Sequence, residues 1–184
     1  MTEVLLLHSA LGLRPGVHAF AAELRAAGHT VHTPDFYEGS VFDDLDAGIA
    51  HRDALGFDRM MELTAAAADA APAAHVFAGF SLGGWFAHHL ARTRPGATGL
   101  LLLHEGEPDP EHPWPDGVAC QIHAMEDDPW LEADALRALE RETGGELFLY
   151  AGHGHLFMDP DLREYDGAAT ALVLARAKAF LARL

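Results

Sequence analysis

The chain holds a single cysteine, Cys120, among 184 residues, which excludes an internal disulfide framework and any cysteine-rich zinc site. Basic residues are scarce. Twelve Lys and Arg stand against 28 Asp and Glu, a formal charge of −16 with the 13 histidines neutral. Such a chain has little from which to build a clustered basic surface, which argues against nonspecific DNA or RNA binding and against docking on anionic lipid. No apolar run reaches the ~18 residues that a membrane span needs. The start, Met1-Thr2-Glu3, leads straight into a short apolar run, without the basic and long apolar segments of a secretory signal. The expectation is a soluble, cytoplasmic protein with one domain over residues 1–184.

What the sequence does have is apolar material, 49% of its residues, arranged in short runs. Val4–His8, Thr30–Thr33, His75–Gly79, Gly99–His104, Val118–His123 and Glu146–Tyr150 have strand length, and several are apolar nearly throughout. That pattern suits strands buried on both faces of a parallel sheet. Helical periods separate them. The first opens at Pro15, carries Val17, Phe20 and Leu24 on one face and stops at Gly28. Others cover Asp58 to Ala71, the segment from Ser81 to Pro95, a stretch with Leu131, Leu136 and Leu139, and Ala168 to Leu184. Strand–helix alternation over the whole chain predicts an α/β doubly wound fold. Phe36 to Phe57 has no strong period, and Glu105 to Gly117 is rich in proline. Both follow strands, so both are expected as long functional loops at the carboxyl edge of the sheet.

Gly79-Phe80-Ser81-Leu82-Gly83-Gly84 is a G-x-S-x-G sequence between a strand and a helix. A turn that tight strains the serine backbone and leaves its flanks little room for anything but glycine. It lifts Ser81 Oγ above the sheet edge and aims the Leu82 N–H at a developing oxyanion, with the helix N-terminus adding positive potential. The chain has only three serines, and glycine at about one position in ten gives a chance occurrence of roughly 3%. Ser81 is therefore the candidate nucleophile. A serine needs a base and a group to orient it. The loop after the fifth run offers Glu126, Asp127 and Asp128, and the loop after the sixth offers His153 and His155. The order Ser, acid, His is that of α/β hydrolases. Spacing alone leaves the choice within each loop open.

These residues carry a resemblance. His8-Ser9-Ala10-Leu11-Gly12-Leu13 follows the first strand. Gly28 to Tyr37 is similar to a Gly-aromatic-x-Val-x-x-Pro-Asp-Leu-Tyr pattern. The elbow at Ser81, the Asp128-Pro129 loop and the Tyr150-x-Gly-x-x-His155-x-Phe157 loop complete it. Together they resemble the dienelactone hydrolases of the α/β-hydrolase superfamily over nearly the whole chain. The resemblance implies Asp128 as the acid, His155 as the base and the Ala10 N–H as the second oxyanion donor beside Leu82. It implies six parallel strands in order 2-1-3-4-5-6 with helices on both faces; the chain departs from the pattern in starting at what would be the superfamily's third strand, so the leading antiparallel hairpin is expected to be absent. Three further features differ. The namesake enzymes carry cysteine in the elbow, and a glutamate in the first loop where Ser9 stands here. Their substrate-holding arginines also have no match that sequence can place. What carries over is acyl transfer to water: a small serine esterase or lactonase acting on a small-molecule ester or lactone, with no cofactor.

Two competing readings bear on the same residues. A metal hydrolase would draw on His8, His104 and His123 at strand ends, or on His153-x-His155. No two-His-plus-acid motif lies on one helix, so no metal is expected. A non-catalytic module would hold a small ligand in the same pocket with an idle serine. Trp114 and Phe42 are expected to line an apolar pocket mouth, Asp35 to anchor a turn, and Cys120 to sit in the core. A homodimer stays open.

Overall fold

In the computed structural model, which describes residues 1–184, β1 (Glu3–Leu7) and β3 (Val76–Phe80) lie side by side near the middle of one sheet. β2 (Thr30–His32) flanks β1; β4 (Gly99–Leu103), β5 (Ala119–Met125) and β6 (Glu146–Tyr150) continue beyond β3. The order is β2-β1-β3-β4-β5-β6 and every pairing is parallel. This is the doubly wound α/β-hydrolase arrangement that the alternation of runs and the family resemblance lead one to expect. No helix is long and apolar enough to cross a membrane.

Period two along each strand splits the core. Val4, Leu6, Val76, Ala78, Leu101 and Leu103 face α1 (Pro15–Ala26) and α6 (Gly167–Leu181), meeting Phe20, Leu24, Val173 and Phe180. Their neighbours Leu5, Leu7, Phe77, Leu100, Leu102 and Ile122 face the opposite layer. That layer is α3 (Phe57–Ala70), α4 (Leu82–Thr93) and α5 (Ala133–Thr143), represented by Met60, Phe86, Leu90 and Leu136. Burial of each such side chain contributes about 1.5–3 kcal/mol, which is why the central strands read as continuous apolar runs. Cys120 is part of this second layer, and burial pushes its thiol up to about 12.

The segment Phe36 to Phe57 departs from the expected long loop. It contains α2 (Leu45–Leu55), started by Asp44, whose carboxylate accepts from the Ala47 N–H at 2.9 Å. Gly48 is its one fully buried residue, pressed so close to the Ala10 carbonyl that a Cβ would lie 2.3 Å from the oxygen. Because α2 covers a cavity instead of the core, it lacks the broad apolar stripe that makes a helix legible.

Candidate active site

β1 and β3 pair in register with Leu7 opposite Gly79, so the loop after β1 and the elbow after β3 leave the sheet together. The elbow turns at Ser81 with φ 49° and ψ −116°, a conformation that costs a non-glycine residue of order 1–3 kcal/mol. Two glycines make it sterically feasible. A Cβ on Gly79 would lie 2.2 Å from the Gly83 carbonyl, and one on Gly83 would lie 2.3 Å from the His8 carbonyl oxygen. α4 can therefore start directly against β1, with Leu82 as its first residue and its N–H free of intrahelical bonding.

His155 Nε2 lies 2.8 Å from Ser81 Oγ, and His155 Nδ1 lies 2.8 Å from Asp128 Oδ2. With the ring proton on Nδ1, the imidazole donates to Asp128 and accepts from the serine hydroxyl. The Asp128 side chain is 1% exposed and its other oxygen accepts from the Trp130 N–H at 2.9 Å. Glu126, Asp127 and His153, the alternatives within the two loops, are exposed. The His155 loop is held by Glu164, whose carboxylate accepts the N–H groups of His155 at 3.1 Å and Leu156 at 2.8 Å. Arg14 fastens the surroundings: Nε donates to Asp159 at 2.6 Å, and one terminal nitrogen donates to Asp43 at 3.0 Å and to the Phe42 carbonyl at 2.6 Å. Neither Glu164 nor Arg14 lies in a recognisable motif, and only their hydrogen bonds reveal them.

Ser81, Leu82, Ala10 and His155 open onto one cavity of about 250 Å³. α2 contributes Leu45, Ile49 and Arg52; Phe57 and Trp85 come from α3 and α4; Trp130 and Leu131 complete the apolar wall. Arg52 is the one cation on this wall, its Nε donating to Asp53 at 2.8 Å. On the remaining side are His104, Glu105 and Glu107. His104 adopts φ 62°, and neither of its ring nitrogens has a hydrogen-bond partner. Burial and the neighbouring His155 and His123 hold its imidazole well below the ordinary histidine range. Glu105 is 6% exposed, accepts from the Glu107 N–H through Oε1 at 2.8 Å, and leaves Oε2 without a partner. Burial pushes its carboxyl up to about 8.

Trp114 and Phe42 do not line this cavity, contrary to expectation. Trp114 Nε1 donates to the Val118 carbonyl at 3.0 Å and its ring receives the Arg92 guanidinium at 5.2 Å, so its polar edge and its face are already engaged. Phe42 packs on Tyr37 and His51. Trp85, Phe57 and Trp130 supply the aromatic wall in their place. Of the strand-end histidines, His8 and His123 have hydrogen-bond partners within the protein, whereas His104 has none. His8 stacks on Phe36 at 3.7 Å and accepts from its N–H, and His123 bonds Tyr150 and Gln121. Asp35 accepts from the N–H groups of Tyr37 and Gly39, as a turn anchor does.

The dienelactone hydrolase family model matches residues 1–184. No curated protein matches the sequence. Among solved structures, a dienelactone hydrolase-like promiscuous phosphotriesterase from metagenomic libraries superposes with a TM-score of 0.79 at 21% identity, covering 100% of this chain and 87% of its own. A Xanthomonas campestris protein assigned to the α/β hydrolase superfamily gives 0.70 at 22% identity, with 100% of both chains covered. The Bacillus cereus carboxylesterase gives 0.58 at 17% identity, covering 99% of this chain and 88% of its own. At these identities the structural likeness establishes the fold, and the family match over the full sequence adds the lineage: the chain belongs to the dienelactone hydrolase family of α/β hydrolases.

Proposed function

We propose that this chain is a serine hydrolase that cleaves a small carboxylic ester or lactone through an acyl-enzyme on Ser81. The observation that carries the reading is the continuous hydrogen-bonded path from Ser81 Oγ through His155 to the buried Asp128. His155 takes the hydroxyl proton as Oγ attacks the substrate carbonyl. The carbonyl oxygen becomes an oxyanion facing the N–H groups of Leu82 and Ala10, each donor contributing about 3–4 kcal/mol. Asp128 stabilises the imidazolium that forms. Collapse of the tetrahedral intermediate breaks the ester C–O bond, and the leaving alkoxide takes the proton from His155. Water then enters and gives its proton to His155 as its oxygen attacks the acyl carbon. Release of the acid returns the proton to Ser81. Every proton transfer runs through Ser81, His155 or water, and the scheme calls for no cofactor.

The cavity of about 250 Å³ lies just below the ~300–1,000 Å³ range of typical ligand pockets, so it suits a short acyl chain or a small ring. Turnover of p-nitrophenyl esters from acetate to octanoate, and of γ- and δ-lactones, tests this. Short-chain esters should exceed the octanoate in kcat/KM by about tenfold or more, since added methylenes find no room. If no ester or lactone is hydrolysed faster than in buffer, the proposal fails and the idle-serine reading takes its place.

A further inference from the structure

Outside the Ser81 cavity, one group of side chains has the make-up of a metal site. His89 on α4, together with Asp109 and His112 in the loop between β4 and β5, bring one ligand atom each within 4.8 Å of one another. From this we infer that the chain carries a second site, which binds a divalent transition metal, zinc or a zinc-like ion, through His89, Asp109 and His112.

The donor set fixes the class of ion. Two imidazoles and one carboxylate suit Zn²⁺, Co²⁺ or Ni²⁺, whereas Mg²⁺ and Ca²⁺ seek oxygen. The donors are positioned before any ion arrives. Asp109 Oδ1 accepts the N–H groups of Glu111 and His112 at 2.9 and 3.3 Å, which fixes the carboxylate while Oδ2 stays 2.9 Å from His112 Nδ1. The His112 backbone is held by the guanidinium of Arg92, which donates to its carbonyl. Arg92 is one turn along α4 from His89, and its charge is anchored by Glu142 at 2.8 and 3.0 Å. The His89 ring stacks parallel to Trp85 and edge-on to His112, at centroid distances of 5.9 and 5.2 Å. The flanking prolines Pro108 and Pro110 limit how far the loop can relax.

Access and charge agree with this. The three ligands are half-buried and border a polar cavity of about 380 Å³, which leaves a face open for water to complete the coordination. Glu107 and Glu111 border the same cavity, a further draw for a dication on a chain of charge −16.

The site adjoins the Ser81 cavity without sharing its chemistry, since Trp85 and Glu107 border both. An ion here ties the β4–β5 loop to α4, and that loop also carries Glu105 and Glu107.

Calorimetric titration of ZnCl₂ into chelator-treated protein tests the inference, with Co²⁺ absorption as a second readout. Binding of one Zn²⁺ per chain is expected, with a rise in melting temperature on addition of Zn²⁺. His89→Gln, His112→Gln and Asp109→Asn should each weaken binding by about 10–100-fold, of the order seen when a metal site loses a supporting group. Asp109→Asn keeps an oxygen for the Glu111 and His112 N–H groups, so it separates ligand loss from loop collapse. His89→Gln should keep its metal-free melting temperature and its metal-free ester turnover. Co²⁺ bound to the native protein should show the visible bands of low-symmetry nitrogen and oxygen coordination. Absence of saturable Zn²⁺ binding overturns the inference. So does binding that survives all three substitutions, which would place the ion elsewhere, for example at His155.

Discussion

Ser81→Ala is expected to lower kcat for the best ester by about 10⁵-fold while leaving the melting temperature within about 2 °C of wild type. The large kinetic effect follows from the role proposed for the oxygen, which forms the acyl bond and has no substitute in the cavity. The small thermal effect follows from the backbone. Ser81 sits at φ 49°, and alanine has the same Cβ and so the same strain there. Its side chain also makes only one side-chain hydrogen bond, to His155. Residual turnover should come from the Leu82 and Ala10 N–H groups and from water activated by His155. Steady-state kinetics and thermal unfolding on the same preparation read both quantities. Retained turnover would remove Ser81 from the chemistry. A large drop in melting temperature would mean that lost activity reports unfolding.

Glu105→Gln is expected to stabilise the protein increasingly as pH rises from about 5 to 8. Burial raises this carboxyl from its ordinary value near 4.5 to about 8 in the folded chain. Between those values the folded state holds a proton that the unfolded state has released, so stability falls as pH rises. A tenfold difference in proton affinity corresponds to about 1.4 kcal/mol, which makes the loss about 3 kcal/mol by pH 7. Glutamine keeps the shape and the Glu107 N–H bond but has no proton to lose. Its melting temperature should match wild type near pH 4 and exceed it by on the order of 10 °C at pH 8. Parallel melting curves from pH 4 to pH 8 check this, and a difference that does not grow with pH would contradict the assignment of a buried, protonated Glu105.

The sheet is legible in the sequence because its strands are buried on both faces. The Val4–Leu7, Val76–Phe80 and Gly99–Leu103 segments leave almost no polar side chain to confuse the pattern. Ser81 is legible because a tight elbow tolerates so few residues around it. Choosing between Asp127 and Asp128, or between His153 and His155, needs the family pattern, since neighbouring residues share a loop and only burial and hydrogen bonding in the folded chain separate them. α2 escapes a sequence reading because its residues Leu45, Ile49 and Arg52 face a cavity that exists only once the other elements around it are assembled. Trp114 misleads for a related reason: a proline-rich loop gives no period to say which way a ring points, and Arg92 claims it. Glu164 and Glu105 carry no local signal at all. One acts across nine residues on the His155 N–H, and the other is unusual only through its burial.

The proposed chemistry depends on a nucleophilic oxygen at position 81 poised by the imidazole at 155. Treatment of the wild-type chain with a fluorophosphonate, followed by peptide mass mapping, tests this most directly. One phosphonyl group per chain on the peptide bearing Ser81, slowed by orders of magnitude in His155→Ala, is the predicted result. An unmodified Ser81 peptide in protein that hydrolyses esters would contradict it.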